Sequence, residues 1–418
     1  MKENSKEDSR FEKFRTDCEF YLGRALGRPM SPPENIYVVT TNSCNLKCRF
    51  CSLWKAMPKI NNPTSLYEKI VDDSAKMKIP HIILSGGEPL LREDIFEIID
   101  YAKAAGIPQI SLITNGTLIN EEIAQKLARS EISHVTISID GLEKSHDYIR
   151  GKGNFKKAIN SIRLLKKQKN RRFTIGINCV IHNKNLEDII PLVKMAKRLG
   201  CNIFVLQPML SDNIDMHKRL LDDELWVTKE RLPLLEKVIT SLIEMKKNDD
   251  FRDLIFVDEI TLKNIKDYFS GSLRRDNVKC YDGYIRIVVN PLGGTWMCDS
   301  DYGDLRTDSL NAAWKSKKAC SIRRKIKKCD KPCLQACVLR PDLGSFPVIT
   351  KNFIAQLKFP EDSELLKKAE ALFDSEENAI KQEARRIFTA LDRQKSHELK
   401  ITLGEILECK KILEALMQ

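Results

Sequence analysis

Short runs of β-branched and aliphatic residues recur through the first half of the chain, each closed by glycine, asparagine or serine. The runs Ile36 to Thr41, His81 to Ser85, Gln109 to Thr114, His134 to Ile139, Phe173 to Val180 and Asn202 to Gln207 predict six strands. Between them, Ser65 to Met77, Arg92 to Ala105, Glu121 to Arg129, Asn154 to Gln168 and Leu186 to Leu199 repeat apolar residues three and four apart, the spacing of an amphipathic helix. Strands that are apolar on both faces, alternating with helices, predict an α/β fold with a parallel sheet covered by helices.

The pattern changes beyond the sixth unit. The segment from Cys280 through Tyr284 to Val289, Gly293-Gly294 and Thr295 to Cys298 reads as a β-hairpin with a glycine turn and a cysteine near each end. Pro341, Gly344 and Pro347 mark a linker, after which Ile349 to Leu357, Ser363 to Phe373, Glu376 to Asp392 and Leu403 to Met417 return to helical spacing. Those helices predict a small cap, with partner docking or dimerisation as the alternative. Ahead of the first strand, Arg10 to Leu26 predicts one helix.

Composition narrows the class. The chain has 418 residues, 42% hydrophobic and 31% charged, enough for two or three domains with a sizeable core. No apolar stretch approaches the roughly 18 to 20 residues of a membrane span, and Met1 to Arg15 lacks a signal-peptide apolar region. A cytoplasmic protein with no transmembrane segment is expected. Thirteen cysteines in such a chain read as metal ligands rather than disulfides, in a reducing and oxygen-poor compartment. The net charge of +12 is concentrated in Lys156 to Arg172, with eight basic residues, and Lys315 to Lys331, with nine. Neither run is interleaved with aromatic residues, so solvated helix faces are expected rather than a nucleic-acid surface. A basic belt beside a cluster would also offset the cluster's negative charge.

The chemistry is concentrated in Cys44-Asn45-Leu46-Lys47-Cys48-Arg49-Phe50-Cys51. Three soft thiolates so close together suit three corners of an iron-sulfur cube and leave the fourth iron open to a small molecule. The alternative, structural zinc, needs a fourth ligand nearby, whereas the next histidine is His81 and the next cysteine Cys179. The spacing Cys-x3-Cys-x2-Cys, with Phe50 before the last cysteine, resembles the signature of the radical S-adenosylmethionine (radical SAM) superfamily. The resemblance implies a 4Fe-4S cluster on Cys44, Cys48 and Cys51, SAM chelated at the open iron, a low-potential electron donor such as flavodoxin or ferredoxin, and a 5'-deoxyadenosyl radical that abstracts a substrate hydrogen. It also implies that the six units form a partial (β/α)6 barrel, with chemistry at the carboxyl ends of the strands, where the cysteine loop indeed follows the first strand.

Later strand ends carry further likenesses. Gly86-Gly87-Glu88 resembles the family's GGE motif at the SAM amino group, its glycines admitting close backbone approach. Asn115 closes the third strand, Ser138 and Asp140 close the fourth, and Arg150 follows shortly after. By the resemblance, Phe50, Gly86, Gly87, Glu88, Asn115, Ser138 and Arg150 would bind SAM, Arg150 through its carboxylate and Ser138 through its ribose or carboxylate. Asp140 would line the substrate side, and Phe50 and the segment around Asn178 would adjoin adenine. No catalytic side chain is assigned beyond the cluster.

Cys18, Cys179 and Cys201 are expected to be buried or surface thiols, and Cys320 and Cys409 helix positions. Cys280-x12-Gly-x4-Cys298 resembles the opening of a SPASM or twitch domain, with Cys329, Cys333 and Cys337 as closing ligands. The Cys-x2-Cys pair of the full SPASM pattern is missing, so one auxiliary 4Fe-4S cluster is expected on Cys280, Cys298 and two of those three, with structural zinc as the alternative. The expected organisation is an N-terminal helical extension (1–34), a radical SAM partial barrel (35–265), a SPASM/twitch-like auxiliary domain (266–340) and a helical C-terminal region (341–418). The implied function is radical SAM oxidation or crosslinking of a peptide or small metabolite in a biosynthetic pathway. Radical SAM modification of RNA and a non-enzymatic iron-sulfur carrier are the alternatives.

Overall fold

A computed structural model describes residues 13, 15–21, 23–24, 26–56, 58–210, 224–273, 279–298, 300–329, 333–334, 338–343 and 349. Six strands follow the sequence pattern closely: β1 (Asn35–Val39), β2 (His81–Ser85), β3 (Gln109–Thr114), β4 (His134–Ser138), β5 (Thr174–Ile181) and β6 (Ile203–Pro208). All are parallel neighbours, paired in chain order. The register aligns their carboxyl ends: Val39 lies beside Ser85, Thr114 beside Ile137 and Ser138 beside Asn178. Loops following β1 to β4 therefore leave the sheet on one side.

The helices form where apolar residues can reach the sheet: α1 (Thr64–Lys76), α2 (Ile95–Ala104), α3 (Glu121–Arg129), α4 (Glu143–Arg150), α5 (Asn154–Lys167) and α6 (Ile189–Arg198). Ile82, Ile110, Val135, Ile137, Ile175 and Ile177 are buried between strands and helices, each contributing about 1.5–3 kcal/mol relative to exposure. Helix starts are set locally; the Asn120 side chain accepts from the Ile123 amide to cap α3. Three helices complete this part, α7 (Leu232–Lys247), α8 (Asp249–Arg252) and α9 (Glu259–Ser270).

The cysteine-flanked hairpin forms as its pattern predicts, and it joins the main sheet. Strand β7 (Arg286–Val289) runs parallel to β1, with Ile36 beside Ile287 and Val38 beside Val289. β8 (Gly294–Met297) and β9 (Ser300–Asp304) then extend the sheet antiparallel, giving nine strands in the order β6-β5-β4-β3-β2-β1-β7-β8-β9. The turn relies on Gly293 at φ +84°, a conformation that favours glycine. Two helices follow, α10 (Leu310–Lys315) and α11 (Lys317–Lys327). Helix α1 is tied to this module: Asp73 Oδ2 accepts from the Leu310 amide at 2.9 Å and Lys69 Nζ donates to the Leu305 carbonyl at 2.6 Å.

Residues 32–339 form one compact unit, containing both the six βα repeats and the added hairpin; residues 1–31 group with 340–418 in a second. In the second unit the described residues between 13 and 26 are helical or in the turn that follows, and Arg340 pairs with Asp17 at 2.9 Å and with Asp342 at 2.8 Å. The four C-terminal helices expected from the sequence lie outside the described residues, apart from Ile349.

Candidate functional site

The loop after β1 carries Cys44 and Cys51 half-buried and Cys48 buried. It is held from three directions. Toward β2, the Gly87 amide donates to the Thr41 carbonyl at 2.7 Å and the Glu88 amide to the Ser43 carbonyl at 2.8 Å. Toward β3, Asn115 Nδ2 donates to Asn45 Oδ1 and Asn45 Nδ2 to Thr117 Oγ1, both at 2.9 Å. Toward α4, the Arg49 amide donates to the Ile149 carbonyl at 3.0 Å, and its guanidinium donates to the Tyr148 carbonyl and covers the Tyr148 ring.

The glycine pair is required by this packing. A Cβ on Gly86 would stand 2.6 Å from the Thr41 carbonyl oxygen and one on Gly87 2.1 Å from that of Ser43, and Gly86 holds φ +147°. What approaches the glycines so closely is the backbone of the cysteine loop itself.

Glu88 is fully buried. One oxygen accepts from Thr114 Oγ1 at 2.6 Å and the Leu90 amide at 3.2 Å, the other from the Asn115 amide at 2.8 Å. Burial raises its pKa while these donors pull it down. Its side chain thus fastens the β2 loop to the β3 loop. Asn115, itself buried, links the same loops. Arg92, expected in a helix, is instead buried outside one: it donates to Asp94, to Asn61 and to the carbonyls of Thr40 and Asn62, clamping the base of the cysteine loop.

At the end of β4, Asp140 is fully buried beneath Arg150. It does not line an open substrate face, as the sequence reading expected. Its Oδ2 accepts from Arg150 Nε at 2.6 Å and its Oδ1 from the Val180 amide at 2.9 Å, while its own amide donates to His146 Nδ1 at 3.2 Å. Burial would raise the carboxyl, but Arg150 and these hydrogen bonds outweigh it and carry its pKa below the ordinary value. His146, buried beside Arg150, is depressed to about 4. Beyond the ion pair, Arg150 reaches Cys48, with Nη1 4.0 Å from Sγ, and its guanidinium carbon lies 5.7 Å from the Phe50 ring centre. Burial pushes the Cys48 thiol up to about 11 with Arg150 pulling the other way. The Leu46 amide donates to Cys44 Sγ at 3.4 Å. Ser138 is buried opposite Asn178, whose side-chain oxygen is buried without a hydrogen-bond partner.

The donor set fits an iron-sulfur cluster: three thiols, a cation beside one and an amide on another, in a loop fixed at three sides. A closed zinc tetrad gains no support from the expected neighbours. His81 is the first residue of β2, at the opposite end of the strand, bonded to Ser111; Cys179 is buried behind Asp140 in reach of Asn185. Among the described residues, no group of three or more His, Cys, Asp or Glu side chains is drawn to the spacing of a single metal ion.

Residues 38–226 match the family described as Radical SAM superfamily, and residues 280–338 match an iron-sulfur cluster-binding domain, SPASM. The chain thus carries a radical SAM domain followed by a SPASM domain. A radical SAM domain binds a 4Fe-4S cluster and SAM, and a SPASM domain binds auxiliary iron-sulfur clusters. The chain is 37% identical over 183 residues to the AdoMet-dependent heme synthase of Methanosarcina barkeri, covering 42% of the chain and 51% of the relative. It is 24% identical over 317 residues to the PqqA peptide cyclase of Granulibacter bethesdensis, covering 73% and 79%. The chain spans about half or less of the length of the first curated relatives it matches. Its fold resembles that of Streptococcus suis SuiB bound to S-adenosylmethionine, with a TM-score of 0.57 at 17% identity over 73% of this chain and 74% of the other.

In the SPASM region, the contacts that tie the cysteine-bearing segments to one another come from residues without a motif of their own. Cys280 bridges to Leu339, and the Tyr281 amide donates to the Val338 carbonyl at 2.8 Å, which sets Cys280 beside the end of the module. Asp282 Oδ2 accepts from the Cys298 amide at 2.6 Å while Oδ1 pairs with Arg286. Cys298 itself holds φ +56°, a strained conformation for a residue with a side chain, of the kind concentrated at functional sites. Cys329 is half-buried and Cys333 buried; Cys337 and Cys409 lie outside the described residues. Cys18, Cys179 and Cys201 are buried, as expected of structural thiols. The acidic residue two positions after Cys280 was the available signal for the Asp282 contact.

Proposed function

We propose that this protein is a radical SAM enzyme that modifies a peptide in a biosynthetic pathway by abstracting a hydrogen atom. The observation carrying the reading is the fixed loop of Cys44, Cys48 and Cys51 at the carboxyl end of β1, with the Arg150 guanidinium 4.0 Å from Cys48. Cys44, Cys48 and Cys51 would hold a 4Fe-4S cluster there, and with SAM it would supply one-electron radical chemistry for hydrogen abstraction. Phe50, Gly86, Gly87, Glu88, Asn115, Ser138 and Arg150 are the residues that would hold SAM. Arg150 offers a cation and Phe50 an apolar face. Glu88 and Asn115 keep the flanking loops in place, and Asp140 holds the Arg150 guanidinium in position. In the second module, Cys280, Cys298 and two of Cys329, Cys333 and Cys337 would hold an auxiliary cluster, able to take up the electron left after hydrogen abstraction. A low-potential donor such as flavodoxin or ferredoxin would reduce the first cluster.

The peptide class is favoured because the likeness to a peptide cyclase runs through 73% of the chain, beyond the βα repeats into the SPASM region. A second reading, a tetrapyrrole-like metabolite, is supported by the higher identity to heme synthases over a shorter stretch. Candidate peptides encoded near this gene and iron porphyrins, each deuterated at the positions to be attacked, separate the two. Deuterium transferred into 5'-deoxyadenosine from a peptide supports the proposal; transfer from the porphyrin alone supports the second reading and refutes the first.

A further inference from the structure

Among the described residues of the SPASM module, one buried cation stands without a counter-charge. Arg323 on α11 is fully buried. Its Nε donates to the Gly283 carbonyl at 2.5 Å, Nη1 lies 4.0 Å from Cys320 Sγ, and its guanidinium carbon is 4.1 Å from the centre of the Trp314 ring. Nη2 has no hydrogen-bond partner, and neither does the buried Trp314 Nε1. Among the described residues no carboxylate pairs with Arg323. Removing a guanidinium from water without a partner is strongly unfavourable, and buried charges in folded proteins are paired or hydrogen-bonded. Aromatic stacking and one carbonyl do not complete the set.

The surroundings point to what does. Gly283, which Arg323 holds, lies three residues after Cys280, and a Cβ on it would stand 2.6 Å from the sulfur of Met297, the residue before Cys298. The cation is therefore packed against the two peptide segments that bear the first pair of auxiliary ligands. An iron-sulfur cluster held by thiolates is anionic, more so when reduced, and nearby charge sets its potential.

We propose that Arg323 is a positioning residue for the auxiliary cluster, a built-in counter-cation whose missing partner is the cluster's negative charge, and that it raises the cluster's reduction potential. This rests on the reading that residues 280–338 hold an iron-sulfur cluster. The electron balance is simple: one electron enters the auxiliary cluster, its negative charge grows by one, and the fixed guanidinium favours that state.

The test uses the full chain reconstituted anaerobically, with Cys44, Cys48 and Cys51 changed to serine so that only the auxiliary signal is read. Midpoint potentials are measured by redox titration followed by electron paramagnetic resonance for the parent, Arg323→Met and Arg323→Lys. Arg323→Met is expected to disfavour reduction at least tenfold, which is 59 mV for one electron, and Arg323→Lys to remain closer to the parent. An unchanged potential in Arg323→Met, or equal shifts in both variants, overturns the proposal. Thermal unfolding of the metal-stripped full chain gives a second reading: Arg323→Met is expected to melt above the parent, since an unpaired buried charge has been replaced by an apolar side chain. Melting below the parent refutes the missing-partner argument, and this comparison decides even if the variant binds no iron. A parent with no auxiliary iron refutes the cluster reading itself, and does so separately.

Discussion

Arg150 Nε lies 2.6 Å from Oδ2 of Asp140, a carboxylate with no exposed surface, and the same guanidinium extends to within 4.0 Å of Cys48 Sγ. The last residue of α4 thus delivers a fixed positive charge to the cysteine loop, and its orientation depends on the carboxylate that follows β4. Breaking this buried pair from the acidic side leaves the arginine charge uncompensated. Asp140→Ala is expected to lower stability by about 3–5 kcal/mol, read as a reduced urea midpoint. A loss below about 1 kcal/mol, the range of exposed pairs, would show that the charge is satisfied elsewhere.

Gly87→Ala places a Cβ 2.1 Å from the Ser43 carbonyl oxygen. Either the β2 loop or the cysteine loop must move, at a cost of about 1–3 kcal/mol for an overpacked site. The expected outcome is loss of the iron bound by Cys44, Cys48 and Cys51 with auxiliary iron retained, measured as iron and sulfide per chain. Full occupancy of both would contradict the packing argument.

His81 gives a pH dependence far from the cysteines. Its ring is bonded to Ser111 Oγ at 2.6 Å and lies edge-on to His134 at 6.0 Å, and burial, with His134 adding, lowers its pKa from 6.5 to about 4. Between those values the unfolded chain binds a proton that the folded chain refuses. The stability linked to His81 is therefore fully present above pH 6.5 and is lost as pH falls from 6.5 toward 4. Urea midpoints between pH 7 and 5 are expected to fall for the parent and to fall less steeply for His81→Gln; identical slopes would remove His81 as the cause.

The seam between α1 and the added module rests on Asp73 accepting from the first amide of α10 and on Lys69 donating to Leu305 and Asp308. Asp73→Ala removes an outside cap from that helix, a loss of about 0.5–2 kcal/mol. Amide exchange should quicken over residues 305–315 and stay unchanged in β2 to β4. Uniform acceleration across the sheet would instead mean that the seam supports the whole unit.

Strand positions were legible because β-branched runs end abruptly at special residues: His81 to Ser85 sits between Pro80 and Gly86, and its bounds in sequence and structure coincide. Helix α4 was missed because its buried face is polar; Ser145 and His146 are buried beside Ile149, so no apolar stripe appears. Arg92 reads as an ordinary helix residue until Asp94, Asn61 and Thr40 converge on it. The three cysteines stand out in the sequence because they fall within eight residues, in a spacing that resembles the radical SAM signature. The pairing of β7 with β1 does not, since it joins residues about 250 positions apart and nothing local encodes that register. Asp282 and Arg323 were hidden for the same reason, as their partners at Cys298 and Gly283 are known only once the hairpin and α11 are in place.

The central claim is that Cys44, Cys48 and Cys51 together hold a cluster that opens SAM. Its most direct test is the release of 5'-deoxyadenosine by anaerobically reconstituted protein given SAM and a strong reductant, quantified by liquid chromatography and mass spectrometry beside the variant with all three cysteines changed to serine. Release is expected from the parent and none above background from the variant. No release from iron-replete parent, or equal release from both, would contradict it.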